Sequence, residues 1–300
     1  MPASATLTIS ISSHSLPELP EVENVRRALQ PVMEGARFEK VVAHRPDLRV
    51  AFPARFATRL TGETVLRLRR RGKYLVADLS SHETLLMHLG MSGSFRIDFT
   101  TPGSFHYPRG AARAHDHVVF HMSSGAKITF NDPRRFGLMD LIATEMLPEH
   151  RVFRFLGPEP LAAEFDAAVL ARVARGKKTT LKAALSDQRV IAGLGNIYAS
   201  EALYHARLSP LRRASTIATR GGTPRDTARR LVAAIRKVLN EAVERGAAPE
   251  GGGDAGADAA HRFSVYDREG RRCRRRACRG VIRRIVQTGR STFYCPVCQV

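Results

Sequence analysis

No run of apolar residues in the 300-residue chain approaches the ~18–20 that a transmembrane helix needs, which counts against a bilayer-spanning protein. Cysteine is scarce. There are four, all between Cys273 and Cys298, too few for a secreted disulfide scaffold and close enough together to mark one local site. The first fifteen residues, MPASATLTISISSHS, hold no Lys or Arg and no sustained apolar block, so they are not a secretory signal. Internal repeats are absent. Acids are outnumbered, 28 Asp+Glu against 48 Lys+Arg, for a formal charge of +20 and a pI near 11.0. That excess calls for a polyanionic partner, nucleic acid before anionic membrane. At 43% hydrophobic the chain can bury a real core, and its length is worth roughly two domains.

Residues 1–16 are rich in Ser, Thr and Ala and are expected to form a disordered extension. From Pro20, the apolar Val22, Val25, Leu29 and Val32 recur at helical spacing, and Pro31 is expected to end or bend that helix. Between about Phe38 and Ile142 the period becomes two. Segments such as Lys73–Leu79, Thr84–Leu89 and His117–Met122 are separated by Gly, Pro, Asp and Ser turns, the spacing of a sandwich or barrel. The prolines of Leu156–Pro160 mark a boundary, after which helical periodicity returns over Glu164–Arg175, Thr179–Asp187, Asn196–Arg207 and Asp226–Arg245. Gly246–Ala260 is a low-complexity Gly/Ala stretch, expected to be a mobile loop or linker. The last forty residues hold 11 Arg against two acids.

Cys273, Cys278, Cys295 and Cys298 form C-x4-C, sixteen intervening residues, then C-x2-C. Two cysteine turns at that separation can surround one structural Zn²⁺, leaving no open coordination position for chemistry; disulfides or free thiols are the alternatives. Between the cysteine pairs, Val281–Gln287 and Ser291–Tyr294 alternate like a hairpin bent at Thr288-Gly289-Arg290, so its tip presents Arg290. Asn196 follows Gly193-Leu194-Gly195 and precedes a helical run, where a cap and free N–H groups suit a phosphate. Lys177, Lys178 and Lys182 just upstream suggest a phosphate clamp; an ordinary tight turn is the alternative. Asp132–Gly137 (DPRRFG) is a turn with two arginines and an aromatic. Phe136 there either enters a base stack or folds back on the core. Met91, in His88–Gly93, is a similar candidate, or simple core filler.

Together these segments resemble the bacterial formamidopyrimidine-DNA glycosylase family, base-excision repair enzymes for oxidised purines. The resemblance rests on PELPEVE (Pro17–Glu23), Arg70–Tyr74, HLGMSG (His88–Gly93), DPRRFG, LGPEPL (Leu156–Leu161), GLGNIYASE (Gly193–Glu201) and Gly289–Cys298, in family order. It implies an α+β multidomain fold: an N-terminal helix plus β-sandwich, a helical helix–two-turn–helix domain and a C-terminal zinc-finger β-hairpin. The expected boundaries are 17–145 for the catalytic sandwich, 146–160 for a linker, 161–248 for the helical DNA-binding domain, 249–260 for a flexible lesion-loop region and 261–300 for the zinc finger.

The resemblance also implies roles. Pro17 is similar to the family's N-terminal proline, whose amine attacks C1′ of the damaged nucleotide; an α-amine titrates near pH 8, roughly two units below lysine. Glu18 is the implied acid for sugar opening and base departure. Lys73 and Arg290 are the other implied catalytic residues. His115, Arg134, Lys178 and Asn196 match DNA contacts, and Met91, Arg134 and Phe136 a void-filling trio. The expected activity is a bifunctional glycosylase and abasic-site lyase acting on damaged duplex DNA as a cytoplasmic, nucleoid-associated monomer, with one zinc ion and no membrane partner. An endonuclease VIII-like enzyme for oxidised pyrimidines and a non-catalytic zinc-stapled DNA-binding protein are the alternatives.

Three departures from the family pattern stand out. Sixteen residues, Met1 to Leu16, precede Pro17, and a peptide-bonded proline nitrogen is no nucleophile; a start at Leu16 is therefore expected. The 246–260 stretch lacks the polar and aromatic residues of a lesion-capping loop. The first cysteine pair is C-x4-C where C-x2-C is usual.

Overall fold

The computed structural model describes residues 6–9, 17–99, 114–247 and 263–300. Most of the 1–16 extension and all of the 249–260 loop region lie outside the described residues. The chain divides into two compact units, Met1–Arg154 and Phe155–Val300. Among the described residues no helix is long and apolar enough to cross a membrane.

The first unit is a helix packed on two antiparallel sheets. Helix α1 (Leu19–Met33) starts behind the N-cap Glu18, whose N–H donates to Glu21 Oε2 at 3.0 Å. Leu19, Val22, Val25, Leu29 and Val32, on one helical stripe, are all buried. Of the two expectations for Pro31, that it ends or bends the helix, the first does not hold: the helix runs on to Met33. Pro31 is exposed and two residues from the end, so its missing N–H removes one hydrogen bond while its ring faces solvent.

In chain order the strands are β1 (Thr6–Ile9), β2 (Phe38–Ala43), β3 (Val65–Arg71), β4 (Tyr74–Leu79), β5 (Glu83–His88), β6 (Ser94–Phe99), β7 (Asp116–Met122), β8 (Ala126–Asn131) and β9 (Leu138–Ala143); a short helix α2 (Phe56–Leu60) lies between β2 and β3. One sheet runs β1-β6-β8-β7-β2 and the other β3-β4-β5-β9. Their inner faces share one core, in which Phe38, Phe95, Phe120 and Phe130 of the first meet Leu68, Leu75, Leu85 and Met139 of the second, with the α1 stripe in the same cluster. Thr6–Ile9 corrects the expectation that all of 1–16 is disordered: it pairs antiparallel with β6, Thr6 opposite Asp98 and Ile9 opposite Phe95. The Thr-Leu-Thr-Ile alternation is itself strand-like and completes an edge.

Register does the positioning. Tyr74 lies opposite His88, and His88 opposite Leu138. The turn before β4, the loop after β5 and the turn before β9 therefore emerge at one end of the four-stranded sheet.

The second unit is helical: α3 (Ala167–Ala174), α4 (Leu181–Ser186), α5 (Asn196–Ala206) and α6 (Asp226–Ala247), followed by the hairpin β10 (Arg283–Gln287) and β11 (Arg290–Tyr294). Asp166 and Thr180 cap α3 and α4 through their side chains. Helix α5 is buried on nearly every side, leaving only Asn196 and His205 part-exposed. Its Tyr204 shares a small core with Val265, Ile282 and Phe293 of the cysteine module.

Candidate active site and zinc centre

In the first unit, three loops gather at that sheet end. Asp132, fully buried, organises the DPRRFG turn: Oδ1 accepts from Ser92 Oγ at 2.5 Å and Oδ2 from the Gly137 N–H at 2.7 Å. The Arg134 N–H donates to Ser92 Oγ at 3.2 Å, and the Asp132 N–H to the His115 carbonyl at 3.1 Å. The HLGMSG loop, the DPRRFG turn and His115 are thus one hydrogen-bonded assembly. Gly90 shows how close the backbones come. At φ +64° it takes a left-handed conformation, and a Cβ there would meet the Phe136 carbonyl carbon at 2.3 Å. Phe136 is 43% exposed, with the Arg134 guanidinium 5.2 Å from its ring centroid, so the alternative in which it folds into the core does not hold. Met91, which follows Gly90 in the chain, is half-buried.

Lys73 lies between β3 and β4 in a turn that Gly72 makes at φ +58°. That turn is strapped to α1. Glu23 Oε2 accepts from Arg70 Nε at 3.1 Å, and Arg70 Nη1 donates to the Gly72 carbonyl at 3.0 Å. Burial alone would raise the Glu23 carboxyl, but hydrogen bonds and charge from Arg26 and Arg70 outweigh it and hold the group below its usual value. Pro17 and Glu18 are buried at the start of the same helix. His88 is held neutral. Burial first, then the charges of Lys73 and Arg49, bring it down to about 4.

In the second unit, Asn196 has a different local role from the one expected. Gly195 is the N-cap, and Asn196 is the first helical residue. Its Oδ1 accepts from Lys182 Nζ and its Nδ2 donates to the Ser291 carbonyl at 2.9 Å, joining α4, α5 and the hairpin. Lys182 is only 1% exposed, so it cannot close a phosphate clamp from solvent; Lys178 is exposed and Lys177 half-buried. Gln188, not singled out from sequence, shapes the glycine loop by accepting from the Gly193 N–H and donating to the Leu194 carbonyl. Glu201 was also missed. Its carboxylate accepts from the backbone N–H groups of Ser264, Val265 and Tyr266 at 2.8–2.9 Å, anchoring the cysteine module to α5. Arg290 is exposed and opens β11, paired with Gln287 across a two-residue turn in which Thr288 and Gly289 both have positive φ.

The four cysteines form no disulfide. Their Sγ atoms all lie within 4.8 Å of one another, with Cys273 and Cys298 at 3.8 Å and Cys278 and Cys295 at 3.6 Å. Thiolates around tetrahedral zinc at ~2.3 Å are about 3.8 Å apart, so the set fits one structural zinc. The longer C-x4-C turn does not prevent closure. Gly280 is needed there, since a Cβ would meet Cys295 Sγ at 2.5 Å. Burial would raise the Cys273 thiol, yet hydrogen bonds from the Tyr204 hydroxyl and the Arg275 N–H bring it down to about 7, whereas burial and the neighbouring thiols push Cys298 up.

A sandwich with an exposed aromatic wedge, a helix–two-turn–helix region and a four-cysteine zinc finger define a DNA-repair enzyme class. The family model described as the formamidopyrimidine-DNA glycosylase N-terminal domain matches residues 16–139, and the formamidopyrimidine-DNA glycosylase H2TH domain matches residues 156–250. The chain is 60% identical to a formamidopyrimidine-DNA glycosylase of Bradyrhizobium sp. and 57% identical to one of Rhodopseudomonas palustris, in each case over 95% of this chain and all of the relative. Among solved structures it is similar to the Lactococcus lactis enzyme bound non-covalently to DNA containing an AP site (TM-score 0.75, 29% identity) and to the same enzyme with Fapy-dG-containing DNA (TM-score 0.76, 28% identity), each covering 94% of this chain and 99% of the other. The chain belongs to the formamidopyrimidine-DNA glycosylase family.

Proposed function

We propose that the enzyme is a bifunctional glycosylase and abasic-site lyase that excises oxidised purines, 8-oxoguanine and formamidopyrimidines, from duplex DNA. The Pro17 nitrogen bonds to C1′ of an extruded nucleotide. The C1′–base bond breaks with its electron pair leaving on the base, and Glu18 supplies the proton for sugar opening. The resulting iminium is an electron sink. Loss of a C2′ proton then expels the 3′ phosphate, and a second elimination expels the 5′ phosphate, with Lys73 and Arg290 serving these steps.

His115, Arg134, Lys178 and Asn196 grip the strand, while Met91, Arg134 and Phe136 fill the space the nucleotide vacates. Zinc supplies structure only: Cys273, Cys278, Cys295 and Cys298 hold the hairpin that carries Arg290. We assign catalysis to the sandwich, duplex binding to the helical region and finger, and a monomeric working form in the bacterial cytoplasm at the nucleoid.

The observation that carries this proposal is the exposed Phe136–Arg134 wedge, hydrogen-bonded to the HLGMSG loop at the sheet end that also carries the Lys73 turn. Support comes from relatives named for formamidopyrimidine excision and from neighbours bound to abasic-site and Fapy-dG DNA. A neighbour in complex with DNA containing an oxidised pyrimidine favours oxidised pyrimidines as a second substrate class, which a panel of single-lesion duplexes separates.

The chemistry requires Pro17 to carry a free amine. A chain beginning at Pro17 should form a borohydride-stable adduct with lesion duplex. A chain that keeps Leu16 attached, or that carries Pro17→Gly, should lose lyase activity while retaining duplex affinity. Strand scission at the unmodified rate by either would overturn the nucleophile assignment.

A further inference from the structure

The first unit contains a cavity of about 310 Å³ beside the wedge, which the proposed chemistry does not use. Phe136, Leu138, Tyr74 and His88 line it, together with the exposed rim residues Arg49 and Arg151. The register explains the place: Tyr74, His88 and Leu138 are cross-strand neighbours on three adjacent strands.

Its electrostatics are one-sided. No lining residue is acidic, and neither rim guanidinium is in an ion pair among the described residues. The Arg49 N–H donates to the Gly137 carbonyl at 3.1 Å, which fixes that residue to the wedge turn. His88 Nδ1 accepts from the Gly90 N–H at 3.0 Å, so the neutral ring carries its proton on Nε2 and offers a donor. Two unpaired guanidinium groups and a neutral donor around an aromatic-walled hollow suit an anion attached to a flat or apolar group.

We propose that this cavity binds the phosphate of a nucleotide, gripped by Arg49 and Arg151 with the sugar or base against Phe136 and Tyr74. The phosphate belongs either to a DNA strand held by the enzyme or to a free nucleotide. The inference rests on the DNA-binding part of the proposed function and not on the lyase chemistry.

The test measures the full chain, R49Q, R151Q and the double variant in two ways. One is calorimetric binding of 2′-deoxyguanosine 5′-monophosphate against deoxyguanosine. The other is the salt dependence of affinity for an undamaged duplex. If a DNA strand supplies the phosphate, the slope of log K against log salt drops by about one for each arginine removed. If a free nucleotide does, the monophosphate binds at least about tenfold more tightly than the nucleoside, and the double variant erases the difference. R49K and R151K, which keep the charge, should retain most of either effect, and melting temperature checks the fold of each variant.

The proposal fails if the double variant matches the unmodified chain in both measurements. Borohydride trapping of a chain that begins at Pro17 runs alongside. Loss of trapping with intact arginine dependence would count against the lyase mechanism alone, and the reverse against the cavity alone.

Discussion

Glu23 and Arg70 form the strap between the helix that begins behind Pro17 and Glu18 and the turn that presents Lys73. Their side chains are 14% and 10% exposed, and Arg70 carries the link on to the Gly72 carbonyl. A pair this little exposed acts through position, since removing either partner takes away the contact that ties the Lys73 turn to α1. Glu23→Gln or Arg70→Ala should lower excision and strand cleavage roughly ten- to hundredfold by letting the Lys73 turn drift. Affinity for undamaged duplex should change far less. Single-turnover kinetics beside duplex binding checks this; equal losses in both would make the pair merely structural.

The same strap gives a pH signature. The folded Glu23 carboxyl titrates below its usual value, so its pairing stabilises the fold above that usual value and the benefit is lost as pH falls through the folded one. The gap in melting temperature between the unmodified chain and Glu23→Gln should be widest near neutral pH and narrow as pH falls below the usual glutamate value. A constant gap across that range would remove the assignment.

What the sequence disclosed depended on whether a residue's role was local. The cysteine spacing, the hairpin turn and the alternating strands are local, and each takes the form the pattern implies. Lys182 is the counter-example. In a Lys-rich stretch it reads as a solvent-facing cation, yet the α4–α5 contact buries it and aims its ammonium at Asn196. Asn196, a favoured capping residue, falls one position inside the helix because Gly195 takes the extended conformation before it. Pro31 reads as a breaker, but where the helix ends decides its cost. Gln188 lies outside the quoted motifs and Glu201 only closes one, and neither role is legible there, because their partners are backbone groups that only the fold brings near.

These lysines can be told apart by salt. Lys178→Ala should reduce the slope of log K against log salt by about one, as expected for a lost phosphate contact. Lys182→Met should leave the slope unchanged and lower the melting temperature, since it leaves the Asn196 carbonyl oxygen without this donor. A slope change in Lys182→Met would restore it to the clamp.

Zinc should behave as a fold element of the second unit. Metal analysis of the purified chain should find one zinc ion per chain, and Cys278→Ser should abolish it. Chelation should loosen the hairpin bearing Arg290 and reduce duplex affinity. The sandwich, whose core is independent of the cysteines, should keep its melting transition. Full retention of duplex affinity without metal would contradict the role given to the finger.

The wedge separates stability from function most directly. Phe136 is 43% exposed, so truncating it removes little buried area, whereas a base stacked on an aromatic ring is worth ~1–3 kcal/mol. Phe136→Ala should therefore leave the melting temperature nearly unchanged and lower excision from a lesion duplex by about ten- to hundredfold. Gly90→Ala should do the reverse in kind: the added Cβ strikes the Phe136 backbone from a left-handed conformation, so the turn must shift and stability falls together with activity. A fully active Phe136→Ala variant would mean that the exposed ring has no part in holding the duplex open.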